Sequence, residues 1–143
     1  MMENLPHLTP ETIWDILNDQ LDDDIVNHLI WHHLGYRFDP ATQQWHTEAV
    51  EPGWAEKFPT PPNFIESRPA TVQLTRAIPP ANKQLLKEYL GFKGYRVDQL
   101  VPRLTRRATI ANWLLSHLRQ QGELPERTAS PVEALPSTDD NAG

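Results

Sequence analysis

The chain has 143 residues, the size of one domain, with 38% hydrophobic and 22% charged residues and a net charge of −6. It contains no cysteine, which excludes disulfides, zinc–thiolate sites, iron–sulfur clusters and thiol nucleophiles. Met1 to Pro10 lacks the basic and apolar regions of a secretory signal, and no apolar run approaches the length of a membrane span, so a cytoplasmic protein is expected.

In chain order, Thr9, Pro10 and Glu11 supply an N-cap, a first helical proline and a carboxylate at the positive end of a helix dipole. Ile13, Trp14, Ile16, Leu17 and Leu21 then recur at helical spacing. The acidic run Asp22-Asp23-Asp24 opens a second helix, with Ile25, Val26, Leu29, Ile30 and Leu34 as its stripe and Gly35 as the residue that ends it. Tyr36-Arg37-Phe38 and Gln44-Trp45-His46 read as two short strands joined by Asp39-Pro40-Ala41-Thr42, which carries type I turn chemistry. The stretch 47–66 holds Pro52, Pro59, Pro61 and Pro62 among Trp54, Phe58, Phe64 and Ile65, and is expected to wrap the surface in extended form with its aromatics inward.

Arg68 to Ile78 fits either a helix face or strand alternation; the bracketing Pro69 and Pro79 favour a short helix. Pro80 to Leu90 predicts a helix stopped by Gly91, with Phe92 folding back as in a Schellman cap. Residues 96–103 predict an extended or one-turn connection. Thr105 to about Gln120 is expected to be the central helix, because Ala108, Ile110, Ala111, Trp113, Leu114, Leu115 and Leu118 cover more than half its circumference. The expected fold is therefore mainly α: four to five helices and one small β-hairpin in a domain over 9–121. A flexible N-terminus (1–8) and a disordered acidic tail (122–143) would flank it.

Charge is sharply segregated. Residues 1–67 carry a net −10, residues 68–119 a net +8 and residues 120–143 a net −4. The leading candidate for a binding site is a basic patch of Lys87, Lys93, Arg96, Arg103, Arg106 and Arg107. Three of its arginines gather around the start of the last helix, where cations oppose the helix dipole unless an anion sits among them. Phe92 and Tyr95 interleave with it as stacking or packing groups. Three readings compete: internal pairing with the acidic first 67 residues or a solvated face, docking on an acidic protein surface, and nucleic-acid binding. Against the last stand the net acidity and the fourteen residues (91–104) between the two C-terminal helices, too many for a tight helix-turn-helix.

For chemistry there is little. Asp24, His28 and His32 are spaced by four on one helix face, and with His33 or His46 they offer a metal-site alternative at His28/His32; polar side chains on the solvent side of an amphipathic helix explain the spacing equally well. No Gly-rich phosphate loop or nucleophile elbow is present, and the acids cluster at helix starts and in the tail, so the expectation is a non-enzymatic protein without a cofactor.

The stretches IWHHLGYRFDP (30–40), IPPANKQLLKEYLGFKGYR (78–96) and PRLTRRATIANWLLS (102–116) resemble a family of small cyanobacterial proteins described only as a domain of unknown function. The similarity runs from about residue 8 to 119 and leaves out the tail. It implies a cytoplasmic protein of an oxygenic phototroph and brings no catalytic residue. The combined expectation is an interaction or regulatory module that uses the basic face to bind an acidic partner protein.

Overall fold

The computed structural model describes residues 5–124, which form a helical domain with one two-stranded antiparallel hairpin. The elements are α1 (Pro10–Leu17), α2 (Asp23–Leu34), β1 (Arg37–Asp39), β2 (Gln44–His46), α3 (Pro52–Lys57), α4 (Arg68–Ala77), α5 (Leu85–Leu90) and α6 (Pro102–Gln120), with single 3₁₀ turns at Pro80–Asn82 and Val97–Gln99. None of these helices is long and apolar enough to cross a membrane.

Local chemistry starts and stops most of them. The Thr9 side chain accepts the Thr12 N–H at 3.2 Å and caps α1. That helix ends at Leu17, short of the expected Leu21, because Asp19 turns the backbone left-handed with φ +60°. At the end of α2, Gly35 N–H donates to His32 O and Tyr36 N–H to Trp31 O, the paired bonds of a Schellman motif. The expected turn after β1 is wider by one residue: Gln43 N–H reaches Asp39 O at 2.8 Å, and Gln43 takes φ +59°. The hairpin registers Phe38 opposite Trp45, whose ring meets Trp31 of α2 at 5.5 Å, so the lone hairpin is buttressed by a helix.

Residues 47–66 depart from the expected extended wrap at α3. Glu51 caps it by accepting the Trp54 N–H at 3.1 Å, and Pro52 sits at the first helical position. The rest of the strip is irregular, with turns at 48–49 and 64–66, and side chains of α2 and the α2–β1 junction hold it: Trp31 Nε1 donates to Pro62 O, Tyr36 Oη to Phe58 O, and Asn27 accepts the Phe64 N–H at 2.9 Å. Each such bond contributes about 1 kcal/mol net.

Residues 68–77 are helical, capped by Ser67. The expected helix over 80–90 is broken after a 3₁₀ turn and resumes at Leu85. Tertiary bonds cause the break. Asn112 of α6 donates to the carbonyls of Asn82 and Lys83 and accepts the Leu86 N–H at 3.1 Å, which diverts backbone groups a continuous helix would use. At its end, Gly91 N–H bonds Lys87 O and Phe92 N–H bonds Leu86 O, a fold-back one residue wider than the Schellman pattern expected there.

α6 is the axle of the domain, starting at Pro102 rather than Thr105 and packing on α1, α2, α4 and α5. Ile110, Ala111, Leu114 and Leu115 are fully buried against Ile13, Ile16, Leu29, Ile30 and Leu74. Leu5, Leu8 and Leu124, from segments expected to be flexible or disordered, pack partly buried against this core; the remainder of the expected tail and the first four residues lie outside the described residues.

Candidate functional site

The arginines at the start of α6 do not form one surface. Arg103 and Arg107 are four apart and share a helix face, which α1 packing turns toward the α1–α2 connection. Arg103 makes a bidentate pair with Asp19, at 3.0 and 2.7 Å, and its Nε reaches Asp23 at 3.0 Å. Arg107 is fully buried; its Nη1 donates to Asp23 at 2.8 Å and its Nε to the Ile16 carbonyl at 3.1 Å. The Arg103 guanidinium holds the Asp19 carboxyl below its ordinary value, and the two carboxylates in turn raise Arg103. The anion that makes cations tolerable at this helix start is thus the chain's own acidic first half. Arg106, one position off that face, donates instead to the Ile65 carbonyl at 3.1 Å. Arg96 pairs with Asp98 at 3.2 Å in solvent.

Lys87 and Lys93 lie elsewhere, and they are brought together with Lys83, which sequence reasoning missed. The three line an open cleft of about 600 Å³ bounded by the end of α4, by α5, by residues 92–94 and by one face of α6. Its apolar lining comes from Ile78, Leu86, Phe92 and Ala108, and Thr75 and Thr109 add hydroxyls. The Asn112 clamp fixes the corner at 82–86 from which Lys83 and Lys87 project, one turn apart, and Lys83 Nζ donates to the Thr75 carbonyl. Among the described residues, no Asp or Glu lines this cleft and none of its lysines pairs with a carboxylate. The i, i+4 spacing of Lys83 and Lys87 was the signal available in the sequence. Phe92 and Tyr95 are packing groups: Phe92 meets Trp14 edge-on at 6.0 Å, and Tyr95 Oη bonds the Leu17 carbonyl.

The histidines divide as well. His28 Nδ1 is 2.8 Å from the Asp24 carbonyl oxygen and its ring packs on Trp31, while His46 sits between Asp39 and Glu48. Among the described residues, no three His, Asp or Glu side chains are arranged to hold a metal ion, so Asp24, His28 and His32 do not form the ligand set their spacing allows. His33 instead meets His117 of α6 at 5.2 Å, and Trp113 stacks on His117 at 5.1 Å. Burial, then the neighbouring His117, His32 and Arg37, pushes His33 down to about 4; His32 and His117 are also lowered, chiefly by burial.

A pH prediction follows from this seam. Unfolded, these imidazoles bind protons near their ordinary value of 6.5, whereas folded His33 stays neutral to about 4. The unfolded chain therefore takes up more protons as pH falls through that window, and stability drops with it. Thermal melts between pH 7 and 4 should show a falling Tm, with a His33→Leu variant less sensitive than the parent. A flat Tm across the window contradicts the seam.

A family model described as "Domain of unknown function (DUF1823)" matches residues 7–119. A structure solved by solution NMR matches with a TM-score of 0.74 at 54% identity, covering 82% of this chain and 98% of that chain. No curated protein matches.

Proposed function

The chain belongs to the DUF1823 family, and we propose that this domain is a non-enzymatic interaction module whose lysine cleft binds an acidic segment of a partner protein. One observation carries the reading. Arg103 and Arg107 are compensated internally by Asp19 and Asp23, whereas Lys83, Lys87 and Lys93 surround a hollow that no carboxylate lines among the described residues. An apolar floor beneath cationic rims suits an amphipathic acidic peptide, whose apolar side chains supply burial and whose carboxylates supply orientation. Phosphates would meet the same lysines, but Lys83, Lys87 and Lys93 ring a compact hollow rather than a track along a strand.

The test is a binding titration with a fluorescent peptide alternating Glu and Leu. Each exposed lysine–carboxylate pair contributes about 0.2–1 kcal/mol, and charge reversal replaces attraction with repulsion. The double variant K87E/K93E should thus bind about tenfold more weakly. Both side chains are exposed, so the fold should be unaffected, and R96E should bind like the parent. Equal affinity of K87E/K93E and the parent, or tighter binding of a single-stranded oligonucleotide than of the peptide, defeats the proposal.

A further inference from the structure

We infer that the acidic C-terminal segment of this same chain, residues 125–143, occupies the lysine cleft in cis and competes there with the partner, an inference that rests on the reading of the cleft given above. The described residues set up the path. Past α6, Gly122 takes φ +71°, its N–H bonds Arg119 O at 3.1 Å, and Glu123 N–H bonds Leu118 O at 2.8 Å. This Schellman turn reverses the chain, and Leu124 packs back on the core. Leu124, the last described residue, therefore lies against the body of the domain.

Reach is ample. From Thr109 on the cleft wall to Gly122 is roughly 20 Å along the helix axis, at about 1.5 Å per residue. The following residues, extended, span up to roughly 60 Å. Charge and patterning are complementary. Residues 125–143 carry Glu126, Glu133, Asp139 and Asp140 against a single Arg127. Val132 and Leu135 flank Glu133, a small amphipathic unit that matches an apolar floor formed by Ile78, Leu86 and Phe92 within a lysine rim. Tethering gives the segment an effective concentration on the order of millimolar, so even a weak contact is substantially occupied. Competition of this kind weakens partner binding about two- to tenfold.

Three chains test it: the full chain, a chain ending after Leu124, and the full chain carrying E126Q, E133Q, D139N and D140N. The shortened chain removes no described residue. The Glu/Leu peptide should bind both variants about two- to tenfold more tightly than the full chain. Without peptide, the backbone amides of Lys87, Lys93 and Thr109 should shift between the full and shortened chains at low salt. Equal peptide affinities, or a gain in affinity with those amides unmoved, overturn the inference. If the peptide binds none of the three chains, the reading of the cleft as a partner site fails by itself. The amide shifts alone then decide whether the tail sits there: a shift upholds its occupancy and unmoved amides overturn it.

Discussion

Arg107→Ala is expected to destabilise the folded domain by about 3 kcal/mol, the range found when one partner of a buried ion pair is removed. The side chain is completely buried, and it ties α6 to both the last turn of α1 and the first turn of α2 through Ile16 and Asp23. Truncation leaves a void in the helix interface and strips the Ile16 carbonyl of its side-chain donor, leaving it the longer Asp19 N–H at 3.4 Å. Arg107→Met should cost clearly less, because it refills most of the volume while Asp19 and Asp23 keep Arg103 and solvent as partners. Arg103→Ala should cost no more than about 1 kcal/mol, since its side chain is 44% exposed and surface pairs are weak. Chemical denaturation of the three variants checks the order. If Arg103→Ala proves as costly as Arg107→Ala, burial is not what makes the clasp stable.

Gly35→Ala should be comparably severe, again about 3 kcal/mol. Gly35 ends α2 at φ +111°, and an added Cβ would lie 2.2 Å from the carbonyl oxygen of Ala49. That obstacle is backbone, so no rotamer change relieves it. Gly91 is the matched control: it also has positive φ, at +75°, but nothing stands near its missing Cβ. Gly91→Ala therefore meets only the left-handed penalty, about 1 kcal/mol. A Gly35→Ala variant no less stable than Gly91→Ala would mean that the chain at Ala49 does not pass over the end of α2 as described.

Much of the fold was legible because its signals are local. Thr9-Pro10-Glu11 and Gly35 act within a turn of where they stand, and the α6 pattern needs only its own residues. The missed helix α3 had such a signal too, in Glu51-Pro52, but neighbouring prolines read as breakers. The break before α5 was not legible, since its cause is Asn112, more than twenty positions away in the chain. The site divides the same way. Charge segregation is visible as a count, yet which cations remain free depends on pairing across the fold. Asp19 and Asp23 meet Arg103 and Arg107 only because α1 and α2 pack on α6. Of the arginines gathered at the start of α6, Arg103 and Arg107 are the ones the protein compensates. The spacing of Lys83 and Lys87 is visible in the sequence, but the corner that carries Lys83 is held by long-range bonds from Asn112 that no spacing rule encodes.

The most direct measurement is a map of where an acidic peptide touches this domain. Titrating the Glu/Leu peptide into isotope-labelled protein at low salt should shift the backbone amides of Lys83, Lys87, Lys93, Ala108 and Thr109. The amides of Asp19, Asp23 and Arg103 should stay in place, and the effect should fade as salt is raised. Shifts centred instead on the α1–α2 connection, on the hairpin, or nowhere at all would contradict the assignment of the lysine cleft as the binding surface.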